Sequence, residues 1–287
     1  VIVANNIARQ VEATITAPER SSYTLSGHYY PVTVEATDQA GNVTTKDASD
    51  TTLGASLQLK VKEKVAPVIT ITAPTASQLL TNNKPKITWK VTDADSCVNS
   101  NTIGITVDSG SKITSGITKT AITGGYQCTY TPATALADDS HTIKFDASDN
   151  DGNAATTKSV TFKVDTVPPT LSIASPTDGL ITNKAACTVS GVTNDVTSSP
   201  VTVTVQLNSG TATSVTVDSS GKFSTDLTLT EGTNTITIVA KDSAGKTTTV
   251  TRKVTLDTAA PVIKSASITP NPVDCGKTYV ISIEVTD

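Results

Sequence analysis

Two pairs of closely spaced aspartates could bind a hard cation. Asp93 and Asp95 lie in the stretch VTDADS, and Asp149 and Asp151 lie in ASDNDGN. Carboxylates two residues apart in a loop can converge on calcium, which takes about six to eight oxygen ligands. Asp165, in a proline-containing stretch further along the chain, is a fifth candidate ligand. A calcium site is therefore one interpretation of these five residues.

The same aspartates have a simpler explanation as turn residues. Asp and Asn side chains are frequent in turns because they accept hydrogen bonds from nearby backbone groups. Asp151 has no carboxylate counterpart in the related stretches VEATDQAGNVTT and VAKDSAGKTTT, and no Glu follows at the spacing of an EF-hand. We prefer the turn interpretation, so the expectation is a chain without a cofactor.

Residues that could catalyse a reaction are scarce. The two histidines, His28 and His141, precede Asp38 and Asp149 by ten and eight residues, near the start of a predicted strand, which favours a structural role. The chain contains no GxSxG, HExxH or P-loop, and no GxGxxG between a strand and a helix. The sequence predicts a protein that is not an enzyme.

A cluster of tyrosines is a candidate contact patch. Tyr23, Tyr29 and Tyr30 lie in SSYTLSGHYYPV and make up half of the six tyrosines. Exposed tyrosines favour contacts with proteins or sugars, because they bring a large area at little entropic cost. The preferred alternative is a tyrosine corner or core position, where the hydroxyl bonds to nearby backbone.

One hairpin motif recurs three times and must position these residues. In VEATDQAGNVTT, FDASDNDGNAATT and VAKDSAGKTTT, alternating apolar residues lead to an aspartate, as in a strand with one buried face. A glycine three residues later supplies the positive φ of a tight turn, and a Thr- and Val-rich run returns. The residues of this structural turn motif are Asp38, Gly41, Asn42, Asp149, Gly152, Asn153, Asp242 and Gly245.

Proline-rich phrases such as DTVPPTLSIASP separate the repeats, because proline ends a sheet strand. Each full repeat contains about seven predicted short strands, as in an immunoglobulin-like sandwich. The prediction is an all-β chain of tandem immunoglobulin-like sandwiches forming an extended rod. Its predicted parts are a partial domain at 1–64, complete domains at 65–165 and 166–258, and a two-strand segment at 259–287.

The phrases ATDQAGN, ASDNDGN and AKDSAGK, followed by TVPP or TAAP, resemble bacterial immunoglobulin-like (Big-type) repeats. Such repeats occur in bacterial surface adhesins and in phage and prophage tail-associated proteins. The resemblance implies a structural or adhesive protein of a virion or cell surface that mediates attachment or spacing. The third copy departs from the motif, with Lys246 where the others have Asn42 and Asn153.

The two ends of the chain complement each other. The spacing predicts that the first repeat lacks its first two strands, and the final TYVISIEVTD parallels KPKITWKVTD at the start of the second repeat. The preferred interpretation is a reduced first sandwich. The alternative is an extracellular filament, in which the final strands of one subunit complete the first domain of the next.

Composition narrows the expected partners. A net charge of −4 without a basic cluster argues against nucleic acid, and the lack of a long apolar run argues against membrane insertion. The opening VIVANNIARQ lacks the features of a signal peptide. We expect self-association, virion or surface proteins, or a host glycan or protein as partners. We expect the four cysteines to be small, buried hydrophobic side chains. The alternative is a disulfide between Cys97 and Cys128.

Overall fold

The computed structural model describes residues 11–287, so the opening stretch that bears on a signal peptide lies outside the described residues. These residues form strands and two short 3-10 helices, Ser26–His28 and Gly54–Leu57. The chain divides into two compact units, Val1–Asp165 and Thr166–Asp287. The first unit contains the first and second modules, and the second contains the third module and the final hairpin.

The first module is built from two separate pairs of short strands. Both pairs are antiparallel, β1 with β4 and β2 with β3. Every residue of β2 and β3 is exposed, and residues 11–64 contribute no buried hydrophobic side chain. The strands are β1 (Tyr30–Pro31), β2 (Val34–Thr37), β3 (Val43–Lys46) and β4 (Gln58–Leu59).

The second module is a sandwich of two four-stranded sheets, with strand orders β5-β7-β10-β9 and β6-β12-β11-β8. Its strands are β5 (Val68–Ala73), β6 (Leu79–Leu80), β7 (Ile87–Thr92), β8 (Gly104–Val107), β9 (Thr118–Ile122), β10 (Gly125–Tyr130), β11 (Asp139–Asp146) and β12 (Lys158–Val164).

The core of the second module follows from alternation along its strands. On β7 the inward positions are Ile87, Trp89 and Val91, each fully buried, while the side chains between them are more exposed. The Trp89 ring packs against Phe145 of the facing sheet, with centroids 5.2 Å apart. Trp89, Phe145 and Phe162 thus fill a core otherwise made mainly of Ile and Val.

The third module is a sandwich of a three-stranded sheet, β13-β15-β18, and a five-stranded sheet, β14-β20-β19-β16-β17. Its core contains smaller side chains, among them Val189, Ile236 and Ile238. The strands are β13 (Thr170–Ser175), β14 (Leu180–Thr182), β15 (Ala186–Asn194), β16 (Thr202–Leu207), β17 (Thr213–Val215), β18 (Lys222–Thr228), β19 (Gly232–Lys241) and β20 (Thr247–Leu256).

In both sandwiches the first segment of chain contributes to both sheets. After β5 leaves its sheet, β6 pairs in parallel with β12, the last strand of the module. In the third module, β14 pairs in parallel with β20 in the same way. These two- and three-residue strands are absent from the sequence-based prediction because so short a segment has no measurable periodicity.

The chain ends in a hairpin of β21 (Val262–Thr269) and β22 (Val280–Thr286). Every residue of both strands is exposed. No helix among residues 11–287 is long and apolar enough to cross a membrane.

All four cysteines are free thiols, so the alternative of a Cys97–Cys128 disulfide is wrong. Cys97 lies in the loop after β7, whereas Cys128 points into the core from the middle of β10. Burial raises the pKa of Cys128 to about 11 and also raises the pKa of Cys187. The expectation of buried cysteines is confirmed for Cys128 and Cys187, but it is wrong for Cys275, which is exposed, and for Cys97, which is half-buried.

Candidate metal centre

The turn after β11 holds the Asp149 carboxylate in a fixed position. Its Oδ1 accepts hydrogen bonds from the backbone N–H groups of Gly152 and Asn153, both at 2.7 Å. Its Oδ2 accepts a bond from Asn153 Nδ2, also at 2.7 Å. Gly152 has φ = 98°, a conformation that favours glycine. The carboxylate is 1% exposed, so the turn carries it into the end of the sandwich.

Asp93 approaches the same place from the loop that follows β7. Its backbone N–H donates to the Gly124 carbonyl at 2.7 Å, and its Oδ1 accepts the Asp95 N–H at 3.1 Å. Burial raises the pKa of Asp93, and the nearby carboxylates of Glu63 and Asp149 raise it further, against the effect of the Asp95 N–H. Asp93 is thus a buried acid beside two others.

The third carboxylate comes from the linker between β4 and β5. Glu63 Oε1 accepts the Ser96 N–H at 3.0 Å. The Glu63 backbone is fixed as well, because its N–H donates to Asp151 Oδ2 at 3.0 Å and its carbonyl accepts from Asn153 Nδ2 at 3.2 Å. Sequence reasoning missed this residue. A usable signal existed, since Glu63 precedes Asp93 by thirty residues, as Asp165 precedes Asp195.

Glu63, Asp93 and Asp149 together form an acidic cluster, which we call the Glu63 cluster. One carboxylate oxygen from each lies within 4.8 Å of the others. At this separation two charges repel by about 3 kcal/mol if the effective dielectric constant is about 20. Within residues 11–287, no lysine or arginine forms an ion pair with any of the three. The cluster therefore concentrates negative charge, with no lysine or arginine ion pair in the described part of the chain to balance it.

The structure separates the other predicted ligands from Asp93 and Asp149. Asp95 Oδ2 instead accepts the Ser21 N–H at 2.8 Å, and its Oδ1 lies 3.7 Å from Arg20 Nε. Asp151 holds the Glu63 backbone, as described above.

Asp165 follows β12, whose final residue Val164 pairs with Asp139 at the start of β11. The Asp149 turn lies beyond the other end of that pair of strands. Asp165 therefore does not converge with Asp93 and Asp149, because one strand-length separates it from Asp149, and its role as a metal ligand stays a prediction.

A second acidic group lies at the equivalent place in the third module. Carboxylate oxygens of Asp195 and Asp242 lie within 4.8 Å of each other. Asp195 Oδ1 accepts the backbone N–H groups of Thr197 and Ser198, at 2.8 and 2.7 Å. Asp242 Oδ1 accepts the Lys246 N–H at 2.8 Å, and Gly245 has φ = 89°. The turn thus repeats the backbone bonding of Asp149 and Asn153.

The third module lacks the side-chain bond that Asn153 makes to Asp149. Lys246 occupies the asparagine position, and Asp242 Oδ2 is buried without a hydrogen-bond partner. Asp242 itself is only 5% exposed. A buried carboxylate oxygen without a donor costs free energy unless a cation or a proton satisfies it.

Two serine hydroxyls also lack a hydrogen-bond partner. Ser96 follows Asp93 by three residues, and Ser198 follows Asp195 by three. Both side chains are buried, at 0% and 3% exposure, and neither hydroxyl has a hydrogen-bond partner. The second and third modules therefore each have a serine hydroxyl without a hydrogen-bond partner in the loop that carries the first aspartate of the acidic group.

The first module contains the turn without the cluster. Asp38 accepts the Asn42 backbone N–H and the Asn42 Nδ2, both at 2.8 Å, and Gly41 has φ = 86°. The hydrogen bond from the Asn42 side chain makes the largest contribution to lowering the pKa of Asp38. Among the described residues, Asp38 belongs to no group of three converging acids. The turn motif alone therefore does not assemble a cluster of three acids.

The tyrosine patch is partly buried. The Tyr30 hydroxyl donates to the Arg20 carbonyl at 3.2 Å, a bond of the kind expected for a tyrosine corner. The Tyr23 ring stacks on His28, with centroids 4.5 Å apart, and the Tyr23 carbonyl contacts His28 Nδ1. Tyr29 is partly exposed beside them.

His141 has partners on both ring nitrogens. Nδ1 contacts Asp108 Oδ2 at 2.9 Å, and Nε2 contacts the Ala137 carbonyl at 2.8 Å. Burial opposes protonation of His141, but these two acceptors outweigh it and raise the pKa of the imidazole. A histidine held this way fastens β11 to its neighbours.

The family comparisons match the two complete sandwiches. Residues 69–166 match a bacterial Ig-like domain, and residues 169–258 match domain B of glucodextranase. A search of curated proteins found no match. Immunoglobulin-like domains are typically non-catalytic, and the fold is compatible with many functions.

Three solved structures illustrate the similarity in fold. The fibronectin(III)-like modules of CbhA from Clostridium thermocellum share 16% identity over 66% of this chain and 94% of theirs, with a TM-score of 0.36. The D1-D2 domains of Rst share 14% identity over 67% of this chain and 100% of theirs, with a TM-score of 0.43. The D00-D0 domain of intimin shares 14% identity over 66% of this chain and 100% of its own, with a TM-score of 0.32. With its two packed sandwiches and the family matches over both, the chain is a tandem immunoglobulin-like repeat protein.

Proposed function

We propose that this chain is a non-catalytic structural or adhesive component of a bacterial surface or of a phage tail, where it provides spacing or attachment. The observation that carries this proposal is a set of hydrogen bonds. They hold the linker before the second module to the first module on one side and to the second module on the other. A linker held by fixed bonds transmits the position of one module to the next, which is what a spacer requires.

The bonds on the first-module side join Ser22 to Val61. The Ser22 N–H donates to the Val61 carbonyl at 2.9 Å, and the Val61 N–H donates to Ser22 Oγ at 3.1 Å. On the second-module side, Glu63 is bonded to the turn after β11, and Lys62 Nζ donates to the Asp151 carbonyl at 3.3 Å. Ser21 and Ser22 are buried although the ten residues before them are exposed, so this junction is a defined structure.

The polar side chains that converge in the second module support a structural role. His141 is occupied on both nitrogens, and the acidic residues hold backbone N–H groups rather than a nucleophile. A catalytic site needs a nucleophile and a base within reach of a substrate. Partners of the proposed component are other surface or virion proteins, a host glycan or protein, or further copies of the chain.

Labelling in the source organism tests the proposed location. Antibodies raised against residues 65–258 are applied to intact cells and to released virions, then detected by immunogold microscopy. Labelling of the cell surface or of virion tails supports the proposal. Labelling that appears only after the cells are permeabilised, with unlabelled virions, contradicts it.

Assembly by strand complementation is a second candidate, favoured by one observation. On β22, Ile281, Ile283 and Val285 occupy the positions that Ile87, Trp89 and Val91 occupy on β7. The β22 side chains are 55%, 58% and 53% exposed, whereas the three on β7 are fully buried. A hairpin with core-type residues left uncovered can complete the first module of another copy.

Light scattering tests this candidate. If strand exchange occurs, the full chain forms oligomers that disappear when Ile283 is replaced by Lys or when residues 259–287 are removed. Ser282→Lys, which places the same charge on the opposite face of β22, is the matched control and should still assemble. A monomer at all concentrations tested contradicts strand exchange.

A further inference from the structure

We propose that the final hairpin of one copy of this chain packs, face against face, on the hairpin of β2 and β3 in the first module of a second copy. This inference rests on the strand-complementation candidate given above, which names no acceptor surface. It adds which face of the first module is covered, which face of the final hairpin covers it, and through which contact.

The final hairpin has one apolar face. Directly paired residues of antiparallel strands lie on the same side of a sheet, as do residues two apart along one strand. Six apolar side chains share a side in three opposed pairs, which are Ile263 with Val285, Ala266 with Ile283, and Ile268 with Ile281. The five larger ones are 46% to 65% exposed. We call this side the Ile283 face, and an uncovered apolar surface of this kind marks an interaction site.

The opposite side of the final hairpin is polar at its centre. Three serines and Glu284 lie there, and Ser265 Oγ donates to Glu284 Oε2 at 3.3 Å. The hairpin therefore has one side suited to water and one side suited to a protein core.

The hairpin of β2 and β3 is the acceptor. One side carries two opposed pairs, which are Val34 with Lys46 and Ala36 with Thr44. We call this side the Val34 face, and Val34 itself is 51% exposed. Its charge lies at the rim, because Lys46 is the last residue of β3 and its Nζ donates to Asp50 Oδ2 at 2.5 Å. Covering the centre of this face would therefore remove apolar groups from water without burying an ion.

The second module shows what covers the equivalent face in a complete sandwich. Val34 precedes the turn aspartate of its hairpin by four residues, as Phe145 does in the second module. Phe145 is fully buried, and the ring of Trp89 on β7 packs against it with centroids 5.2 Å apart. The Val34 face is thus the side that the fold normally places in a core.

The final hairpin repeats the pair of strands that covers Phe145. β5 and β7 are antiparallel neighbours with an irregular register near one end, and β21 and β22 have the same arrangement. Ile283 occupies on β22 the position of Trp89 on β7. The contact of Trp89 with Phe145 inside the second module therefore predicts a contact of Ile283 with Val34 between copies.

The route of the chain favours a second copy as the occupant. Val68 of β5 pairs with Thr92, so the chain enters the second module at the end that holds the Asp149 turn. It leaves at the other end, because β6 and the last strand β12 run in parallel. The third module has the same parallel pairing of β14 with β20, so the chain does not turn back within either sandwich. A contact between unlike surfaces of identical chains then repeats from head to tail.

Two variants that damage opposite sides of this contact test the inference. Val34→Lys damages the acceptor and leaves the final hairpin intact, whereas Ile283→Lys damages the donor and leaves the first module intact. Both positions are more than half exposed, so neither change removes a buried side chain. Thr37→Lys and Ser282→Lys place the same charge on the opposite sides of the two hairpins and are the matched controls.

Light scattering after size-exclusion chromatography measures the result. The wild type and both controls should form oligomers, and each damaged variant alone should have the mass of one chain, 29.5 kDa. An equimolar mixture of the two damaged variants should form a pair with twice that mass. In this pair the intact hairpin of Val34→Lys occupies the intact acceptor of Ile283→Lys, and the two damaged surfaces prevent further growth.

The outcomes separate this inference from the candidate on which it rests. If Ile283→Lys prevents assembly but Val34→Lys assembles like the wild type, strand complementation stands and the Val34 face is not the acceptor. If the wild type is a monomer at all concentrations tested, both are overturned. The inference is also overturned if the mixture of the two variants remains monomeric while the wild type assembles. Immunogold labelling of cells and virions bears on the surface role alone.

Discussion

The hairpin turns of the first and second modules have the same local chemistry and different surroundings. Asp38 and Asp149 each accept the backbone and side-chain N–H groups of the asparagine four residues later. Asp38 is exposed, whereas Asp149 is 1% exposed and lies beside Glu63 and Asp93. The same turn is thus a simple reversal of the chain in one module and part of an acidic cluster in the other.

The difference teaches that local sequence specifies the turn, and the rest of the module specifies its environment. The second module has a facing sheet, a β7 loop and a linker that enclose Asp149. In the first module, β2 and β3 have no such cover within the described residues. Three experiments test this contrast.

The largest effect should come from the core that only the second module has. Trp89→Ala should destabilise the second module by about 3–5 kcal/mol, because it leaves a large cavity among Ile and Val side chains. Val43→Ala in the exposed β3 of the first module should change stability by less than about 0.5 kcal/mol. Chemical denaturation followed by circular dichroism measures both. Equal losses in the two variants would contradict the contrast.

A smaller effect should follow from placing an asparagine at position 246, in the turn of the third module. In Lys246→Asn, the new amide can donate to Asp242 Oδ2, as Asn153 does to Asp149. The expected gain is about 1 kcal/mol in EDTA, because a buried acceptor regains a partner. Calorimetric unfolding measures it, and Lys241→Asn at the end of β19 is the control. A loss of stability would show that the two turns differ in backbone geometry.

The smallest effect concerns the two histidines. The pKa of His141 is raised in the folded state, so protonation stabilises the fold. That contribution is complete below the unfolded-state pKa near 6.5 and is lost as the pH rises through the higher folded-state pKa. The loss should be below about 1 kcal/mol, because the Asp108 side chain is partly exposed and solvent screens the pair.

Urea denaturation at pH values from about 5.5 to 9 measures this dependence. His141→Gln should abolish it, and His28→Gln in the first module should retain it. A dependence that persists in His141→Gln would assign the titration to another group.

The sequence contained enough information for the sandwiches but not for the acidic cluster. Apolar residues at every second position, such as Ile87, Trp89 and Val91, locate long strands directly, because only one face of such a strand is buried. Asp93 and Asp149 come together because they follow β7 and β11, which belong to the two facing sheets of the sandwich.

Glu63 was not predicted because a linker has no periodicity, and only the folded chain shows where its side chain points. Asp165 does not join Asp93 and Asp149, because proximity to the repeat boundary in sequence does not indicate which end of a sandwich a residue occupies. Unpartnered oxygens such as Asp242 Oδ2 could not be predicted at all, since they depend on every neighbouring donor.

The parallel pairing of β6 with β12 determines how the second module resists a stretching force. These strands lie near the entry and exit of the module, and the backbone bonds from Ser77 to Thr161, from Lys163 to Gln78 and from Asp165 to Leu80 are each 2.8 Å long. Tension applied through the two ends of the module pulls parallel strands in opposite directions, so these bonds are loaded together in shear instead of one after another. The pairing of β14 with β20 gives the third module the same arrangement. A load on the chain would therefore meet a mechanical clamp in each sandwich, and the force needed to extend it would be governed by the unfolding rate of that clamp rather than by equilibrium stability.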